Sequence, residues 1–288
     1  MREPQAPRAK QRLGGPRQAP ETQNDDALPP AGSQVDRRCG DNYSAAVKII
    51  CYWGEGMATF VLVHGAWHGA WCWRRVARLL TRAGHEVFTP TLTGLCERSH
   101  LLTPTVDLDT HILDVVNEMK WQNLNNVVLV GHSYGGMVIS GVAEKMEKSI
   151  ASFIMLDAFM PENGQSVIDI WPPAMREGLL AAERGGATTV PPRAAELFKV
   201  NEKDRAWVDA QCTPQPIKSF FQKLPLTGAR ERIAKKTYIR ATAFPTPYFD
   251  AGLASARGKG WRTYEVPCGH DVMLDMPDRL TELLQEAA

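Results

Sequence analysis

Cysteine is scarce and unpatterned in this chain of 288 residues. Cys39, Cys51, Cys72, Cys96, Cys212 and Cys268 form no C-x-x-C pair, and none stands at zinc-ligand spacing from a histidine. That argues against a disulfide framework and a metal site, and fits reduced thiols in a cytoplasmic protein. Charge of one sign is lacking too: the net charge is +1, which offers no field for nucleic acid or an anionic membrane. No apolar run is long enough to span a bilayer. Residues 1–38 almost lack aromatic and β-branched side chains and contain no apolar core of a secretory signal. Such a segment buries too little surface to offset its ordering entropy, so residues 1–56 are expected to be a disordered extension. A short strand within 45–53 is the alternative there. The compact domain is expected over 57–288, and Met57 is a conceivable natural start.

What remains is ordinary globular material, 44% hydrophobic and 23% charged. Thr59-Phe60-Val61-Leu62-Val63 is a continuous apolar run ended by His64-Gly65, the pattern of a buried parallel strand. A helix is predicted over Ala70–Arg82, with a strand at Glu86–Thr89 and a helix at Leu108–Met119. Further strands are predicted at Asn126–Val130, Ser152–Leu156, Thr237–Ala241 and Arg262–Val266, with a last helix from about Pro277. Alternation of strands and helices predicts a mostly parallel sheet covered on both faces. The alternation breaks after Leu156, and the next strand comes about 80 residues later, far beyond an ordinary crossover. The proline-rich stretch at about 160–230 is therefore expected to be an inserted lid.

One motif carries chemistry. Gly131-His132-Ser133-Tyr134-Gly135 lies between an apolar strand and a helical segment, and that context makes G-x-S-x-G a nucleophile elbow. Ser133 is the expected nucleophile. A serine nucleophile needs a base, an orienting acid and oxyanion donors. His270 follows the last strand and precedes the last helix, which suits the base. His85, His100 and His111 have no such context, and His132 is expected to pack. Asp157, at the end of an apolar strand, is costly unless paired, and a partnership with His270 supplies the pair. Asp250 is the alternative acid. The backbone N–H groups of Tyr134 and Ala66 are the expected oxyanion donors. Trp67 is expected to face the substrate pocket. Trp171, Met175, Trp207, Phe220 and Phe221 are further candidates from the lid.

The run His64-Gly65-Ala66-Trp67-His68-Gly69-Ala70-Trp71-Cys72-Trp73, the elbow, and Gly269-His270-Asp271 resemble the α/β-hydrolase superfamily. Within it the chain is similar to plant methylesterases, hydroxynitrile lyases and their bacterial esterase relatives, from about Thr59 to the C-terminus. The resemblance implies the α/β-hydrolase fold and a cofactor-free serine esterase, with Ser133, His270, Ala66 and Tyr134 in the family's roles. Two departures stand out. The acid of the plant enzymes falls on Phe244, while Leu156-Asp157-Ala158 resembles the acid position of some haloalkane dehalogenases. The lyases place lysine and threonine where this chain has Asp271 and Gly65, which disfavours cyanohydrin cleavage.

The expected activity is hydrolysis of small to medium apolar carboxylic esters through an acyl-enzyme. Lactone or amide hydrolysis, lyase chemistry and ligand sensing on the same scaffold are the alternatives. No cofactor, metal, membrane or nucleic-acid partner is expected. The expected partner is a small-molecule ester, with a homodimer left open.

Overall fold

The computed structural model describes residues 56–288, so the expected disorder of the N-terminal segment and the strand weighed within 45–53 lie outside the described residues. Strand β1 (Thr59–Val63) leads through a 3-10 turn at Ala70–Trp73 into α1 (Arg74–Arg82), then β2 (Glu86–Phe88). The helix expected from Ala70 thus begins later, because Trp71, Cys72 and Trp73 all turn inward and a regular helix cannot bury three consecutive residues on one face. Helix α2 (Leu108–Trp121) is followed by β3 (Val127–His132), α3 (Gly135–Met146) and β4 (Ile150–Leu156). After a long insertion come β7 (Lys235–Ala241), α9 (Pro247–Gly258), β8 (Arg262–Val266), α10 (Val272–Asp275) and α11 (Pro277–Ala287). The numbers β5, β6 and α4–α8 belong to the insertion.

The main sheet has six strands in the order β2-β1-β3-β4-β7-β8, and every pairing in it is parallel. The apolar runs read from the sequence explain the order of burial. Phe60 to Val63 and all of β3 are buried, as central strands covered on both faces must be. The edge strands β2 and β8 are half exposed and carry Glu86 and Arg262. Helix α2 is started by Asp107, whose carboxylate accepts the Thr110 N–H at 2.9 Å in a capping box. Its Leu108, Ile112, Val115, Val116 and Met119 all turn toward the core.

Parallel pairing puts the C-terminal ends of all six strands along one edge of the sheet. His132 ends β3 beside Leu156 at the end of β4, so Ser133 and Asp157 leave the sheet as neighbours. The insertion between β4 and β7 contains five short helices, α4 (Val167–Ile170) to α8 (Ala229–Arg232), and a two-stranded antiparallel ribbon, β5 (Thr189–Val190) with β6 (Gln215–Pro216). It is fastened at one corner by Arg75 of α1. That guanidinium donates to both carboxylate oxygens of Asp204 at 2.7 Å and to the Leu274 carbonyl at 2.6 Å. Asp275 accepts the Asn201 N–H at 3.0 Å beside it.

The Arg75 hydrogen bonds hold the Asp204 carboxyl below its ordinary value. A depressed acid stabilises the fold above its unfolded pKa, and that contribution disappears as pH falls through the depressed value. Arg75 is more than a third exposed, which screens the pair. Asp204→Asn is expected to cost about 1 kcal/mol at neutral pH, lowering Tm by about 2–4 °C. Melting curves of the two proteins should converge as the pH falls below the ordinary carboxylate range; a gap that persists there would contradict the ion pair.

Candidate active site

Chain geometry at the elbow decides where the Ser133 hydroxyl goes. Ser133 has a φ of 53°, a left-handed conformation that a non-glycine residue holds only when its surroundings over-determine it. Its N–H donates to the Leu156 carbonyl at 3.2 Å, and its own carbonyl accepts from Gly136 and Phe159 at 3.0 and 3.1 Å. The turn closes because strand and helix meet without side chains. A Cβ on Gly131 would lie 2.6 Å from the Gly135 carbonyl oxygen, and one on Gly135 would lie 2.8 Å from the Val63 oxygen.

Asp157 also adopts a left-handed φ, 42°, as β4 ends. Its carboxylate is fully buried and fully engaged. One oxygen receives the His270 Nδ1–H at 2.6 Å; the other accepts Arg240 Nη1 at 2.7 Å and the Ala241 N–H at 3.1 Å. Asp250, the alternative acid, faces away from His270. It binds Arg240 through Nε at 2.9 Å, on the far side of that guanidinium. Arg240 was not singled out from the sequence, where a charged residue in β7 looks like an ordinary strand position. Phe244, where the plant acid would stand, packs its ring 4.9 Å from the His270 ring.

His270 is held from several sides. Its N–H donates to the Phe198 carbonyl at 2.9 Å, its carbonyl accepts His132 Nε2–H at 3.0 Å, and Phe249 stacks on its ring at 5.2 Å. The packing role expected of His132 is the one observed; burial drives its pKa well down, so it stays neutral. Burial likewise lowers the pKa of His111, whose Nδ1 receives the Tyr134 hydroxyl at 2.9 Å.

Ser133 and His270 line one narrow cavity with Ala66 and Trp67. Phe159, Phe244, Tyr248 and Phe249 form more of its wall, and the insertion contributes Trp171, Arg193, Phe198 and Phe220. Of the lid candidates, Trp171 and Phe220 are therefore at the cavity. Met175, Trp207 and Phe221 are not among its lining, and Trp207 instead meets the edge of Trp71 at 4.9 Å. A wider groove of about 950 Å³ runs past Trp71, Arg74 and Arg78, but it contains neither Ser133 nor His270. Trp67 has a φ of 66°; its N–H donates to Gln215 Oε1 at 3.0 Å and its indole N–H to the Val190 carbonyl at 3.1 Å. Among the described residues, neither the Ala66 N–H nor the Tyr134 N–H has an acceptor.

Residues 60–283 match the alpha/beta hydrolase family. The chain belongs to that family. This hydrolase is 44% identical over 239 residues to a carbendazim hydrolyzing esterase of Nocardioides sp. (strain SG-4G), across 79% of this chain and 98% of that enzyme. It is 29% identical over 250 residues to the putative chloroplastic methylesterase 11 of Arabidopsis thaliana, across 80% of this chain and 63% of the plant protein. An extracellular α/β-hydrolase from a Paenibacillus species superposes with a TM-score of 0.72 at 29% identity, across 80% of this chain and 99% of that one. That protein is described as sharing structural and functional homology with tobacco salicylic acid binding protein 2. Family and esterase relatives together support carboxylic ester hydrolysis as the activity of this chain. Among the described residues, no helix is long and apolar enough to cross a membrane.

Gly131→Ala tests the close approach at the elbow. With its Cβ forced against the Gly135 carbonyl, the variant is expected to lose about 1–3 kcal/mol of stability in urea unfolding. Unchanged stability would mean that the strand and helix can separate freely.

Proposed function

We propose that this hydrolase is a serine carboxylesterase that works through an acyl-enzyme. The observation that carries the reading is the 2.6 Å contact from His270 Nδ1 to Asp157, at the cavity that Ser133 also lines. With Nδ1–H given to the carboxylate, His270 presents Nε2 as the acceptor for a proton. Ser133 Oγ attacks the ester carbonyl while His270 Nε2 takes the hydroxyl proton. The carbonyl oxygen becomes an oxyanion, received by the free N–H groups of Ala66 and Tyr134. Collapse of the tetrahedral intermediate breaks the bond to the leaving alcohol, which takes the proton back from His270. Water, activated by the same imidazole, then attacks the acyl-Ser133 ester and releases the acid. Asp157 orients His270 and stabilises its cationic form. Arg240 and the Ala241 N–H keep that carboxylate aimed.

The aromatic wall favours small to medium apolar esters, because most of the lining offers a polar acyl group nothing in exchange for the water it would lose. The insertion acts as a lid: Trp171, Phe198 and Phe220 close the cavity and Gln215 grips the oxyanion loop. Carbendazim, given the Nocardioides relative, belongs among the first substrates to test.

The test is a series of p-nitrophenyl esters with carbendazim alongside. Wild type should release a burst of p-nitrophenol that Ser133→Ala lacks. Asp157→Asn should lower kcat by up to about 10⁴-fold, as loss of the orienting acid does in serine hydrolases. Asp250→Asn should change it by less than about tenfold, since Asp250 reaches His270 only through Arg240. Equal damage from both aspartate variants would move the acid role. Absence of turnover, with tight binding of the same esters, would favour a ligand-sensing protein.

A further inference from the structure

Five histidines are buried: His64, His68, His111, His132 and His270. Their hydrogen-bond partners assign their protons. His64 gives Nδ1–H to the Gly65 carbonyl at 2.8 Å and accepts the Leu92 N–H on Nε2 at 3.1 Å, so the neutral ring satisfies both contacts. Burial lowers its pKa to about 3. His111 likewise pairs one donor with one acceptor, giving Nε2–H to the Thr93 carbonyl at 3.0 Å. His68 is different. Its Nδ1 faces the Ala66 carbonyl at 2.8 Å, and its Nε2 faces the Asp271 carboxylate at 3.2 Å. Both partners can only accept, so a neutral ring would turn a lone pair toward one of them.

Asp271 sets the sign of the charge. It is fully buried, and among the described residues its second oxygen has no hydrogen-bond partner. His132 Nε2 lies 3.8 Å from that oxygen, but its proton is directed to the His270 carbonyl. Among the described residues, the other titratable groups around the pair supply no cation. Burial holds His64 and His132 neutral and keeps Cys72, Cys212 and Cys268 as thiols. His270, the remaining neighbour, gives its Nδ1 proton to Asp157. A buried carboxylate with no paired cation is among the costliest arrangements in a protein. The His68 ring also stacks on Trp71 at 5.0 Å, a favourable seat for a cation. Burial alone pushes an imidazole pKa down, yet the Asp271 carboxylate outweighs it and His68 lies above its ordinary value. Burial would raise the Asp271 carboxyl, and His68 instead holds it far below the usual range.

The two residues stand at decisive points of the chain. Asp271 directly follows His270. Ala66 carries the oxyanion N–H, and the peptide after it is gripped at both ends, by His68 at its carbonyl and by Gln215 at the Trp67 N–H. We propose that His68 is a buried imidazolium that bridges the Ala66 carbonyl to Asp271, positioning the oxyanion donor relative to His270. The bridge rests on the serine-esterase reading for its consequence, while the charge state stands on its own. His68 and Asp271 are positioning residues, because neither lines the cavity with Ser133.

Nitrogen-15 NMR of the imidazoles in the wild-type protein tests the charge directly. At neutral pH both nitrogens of one buried ring, identified by its absence in His68→Phe, should carry protons. In Asp271→Asn the same ring should carry one proton. A bare nitrogen on wild-type His68 would overturn the imidazolium, whatever the enzyme's activity. The kinetic arm reads the bridge. His68→Phe should lower kcat on p-nitrophenyl esters by about 10–100-fold with KM changed by less than about threefold, the mark of a misplaced transition-state donor. Asp271→Asn should lower kcat by about 3–30-fold, again with KM changed by less than about threefold, because neutral His68 still donates Nδ1–H to Ala66 but loses the charge that ties it beside His270. A folded His68→Phe or Asp271→Asn variant with wild-type kcat would overturn the positioning role. Should His68→Phe fail to fold, site-resolved assignment of the wild-type histidines and the Asp271→Asn kinetics decide the matter. If the wild type itself turns over no ester, the serine-esterase reading fails, and the NMR result still stands for or against the ion pair.

Discussion

A carboxylate with no access to water is costly unless it is paired, and Asp157 is fully paired. Its partners come from two different segments: Arg240 and Ala241 at the end of β7, and His270 in the loop after β8. Satisfying it therefore docks the ends of β4, β7 and β8 against one another. The strand order supports this, since those three strands lie side by side in the sheet. Arg240 carries the arrangement outward, because the guanidinium that meets Asp157 also holds Asp250 at the start of α9. A charge that is expensive to bury thus becomes a means of specifying one arrangement of loops.

The opposite side of the site is ordered by a second buried charge pair. His68 and Asp271 join the loop after β1 to the loop after β8. Ser133 lies between the two systems, on the central strand β3. The elbow needs no charge to keep its shape. Steric exclusion at Gly131 and Gly135 and backbone hydrogen bonds to Leu156, Gly136 and Phe159 are sufficient. For the proposed mechanism, rigid backbone at Ser133, flanked by buried ion pairs on both sides, is the kind of preorganisation that electrostatic stabilisation of an oxyanion demands. In the same proposed mechanism the aromatic wall keeps water from competing for the Ala66 and Tyr134 N–H groups.

The insertion between β4 and β7 is where family resemblance is least informative and the structure most so. Its short helices bury only one or two apolar side chains each, such as Val167, Leu179, Val208 and Phe220, and none is long enough to be stable alone. They keep their places through contacts with the hydrolase core: Arg75 with Asp204, Asp275 with Asn201, and Gln215 with Trp67. Substrate-sized changes in this enzyme are therefore expected to arise from the insertion, with the sheet unchanged.

Local pattern was enough to read most of the sheet. The spans Thr59–Val63 and Arg262–Val266 were legible to the residue, because apolar runs between turn residues depend only on near neighbours. The strand-to-helix elbow around Ser133 was legible for the same reason, as was the break in alternation after Leu156. The 3-10 start at Ala70 was not, since three consecutive inward residues are explained only by what they pack on. The contact of His270 with Asp157, favoured in the sequence over Asp250 by its place at the end of an apolar strand, is a matter of tertiary structure. Asp157 meets a histidine 113 residues away, Trp67 meets a glutamine 148 residues away, and His68 meets a carboxylate 203 residues away. By itself the sequence determined the strands, the elbow and the residue types that the chemistry needs, because those follow from short-range sterics and hydrophobic spacing. Which charges meet, and which histidine must hold two protons, was decided only by the tertiary structure. Ion pairing depends on distance in space and on burial, and neither is written in the order of residues.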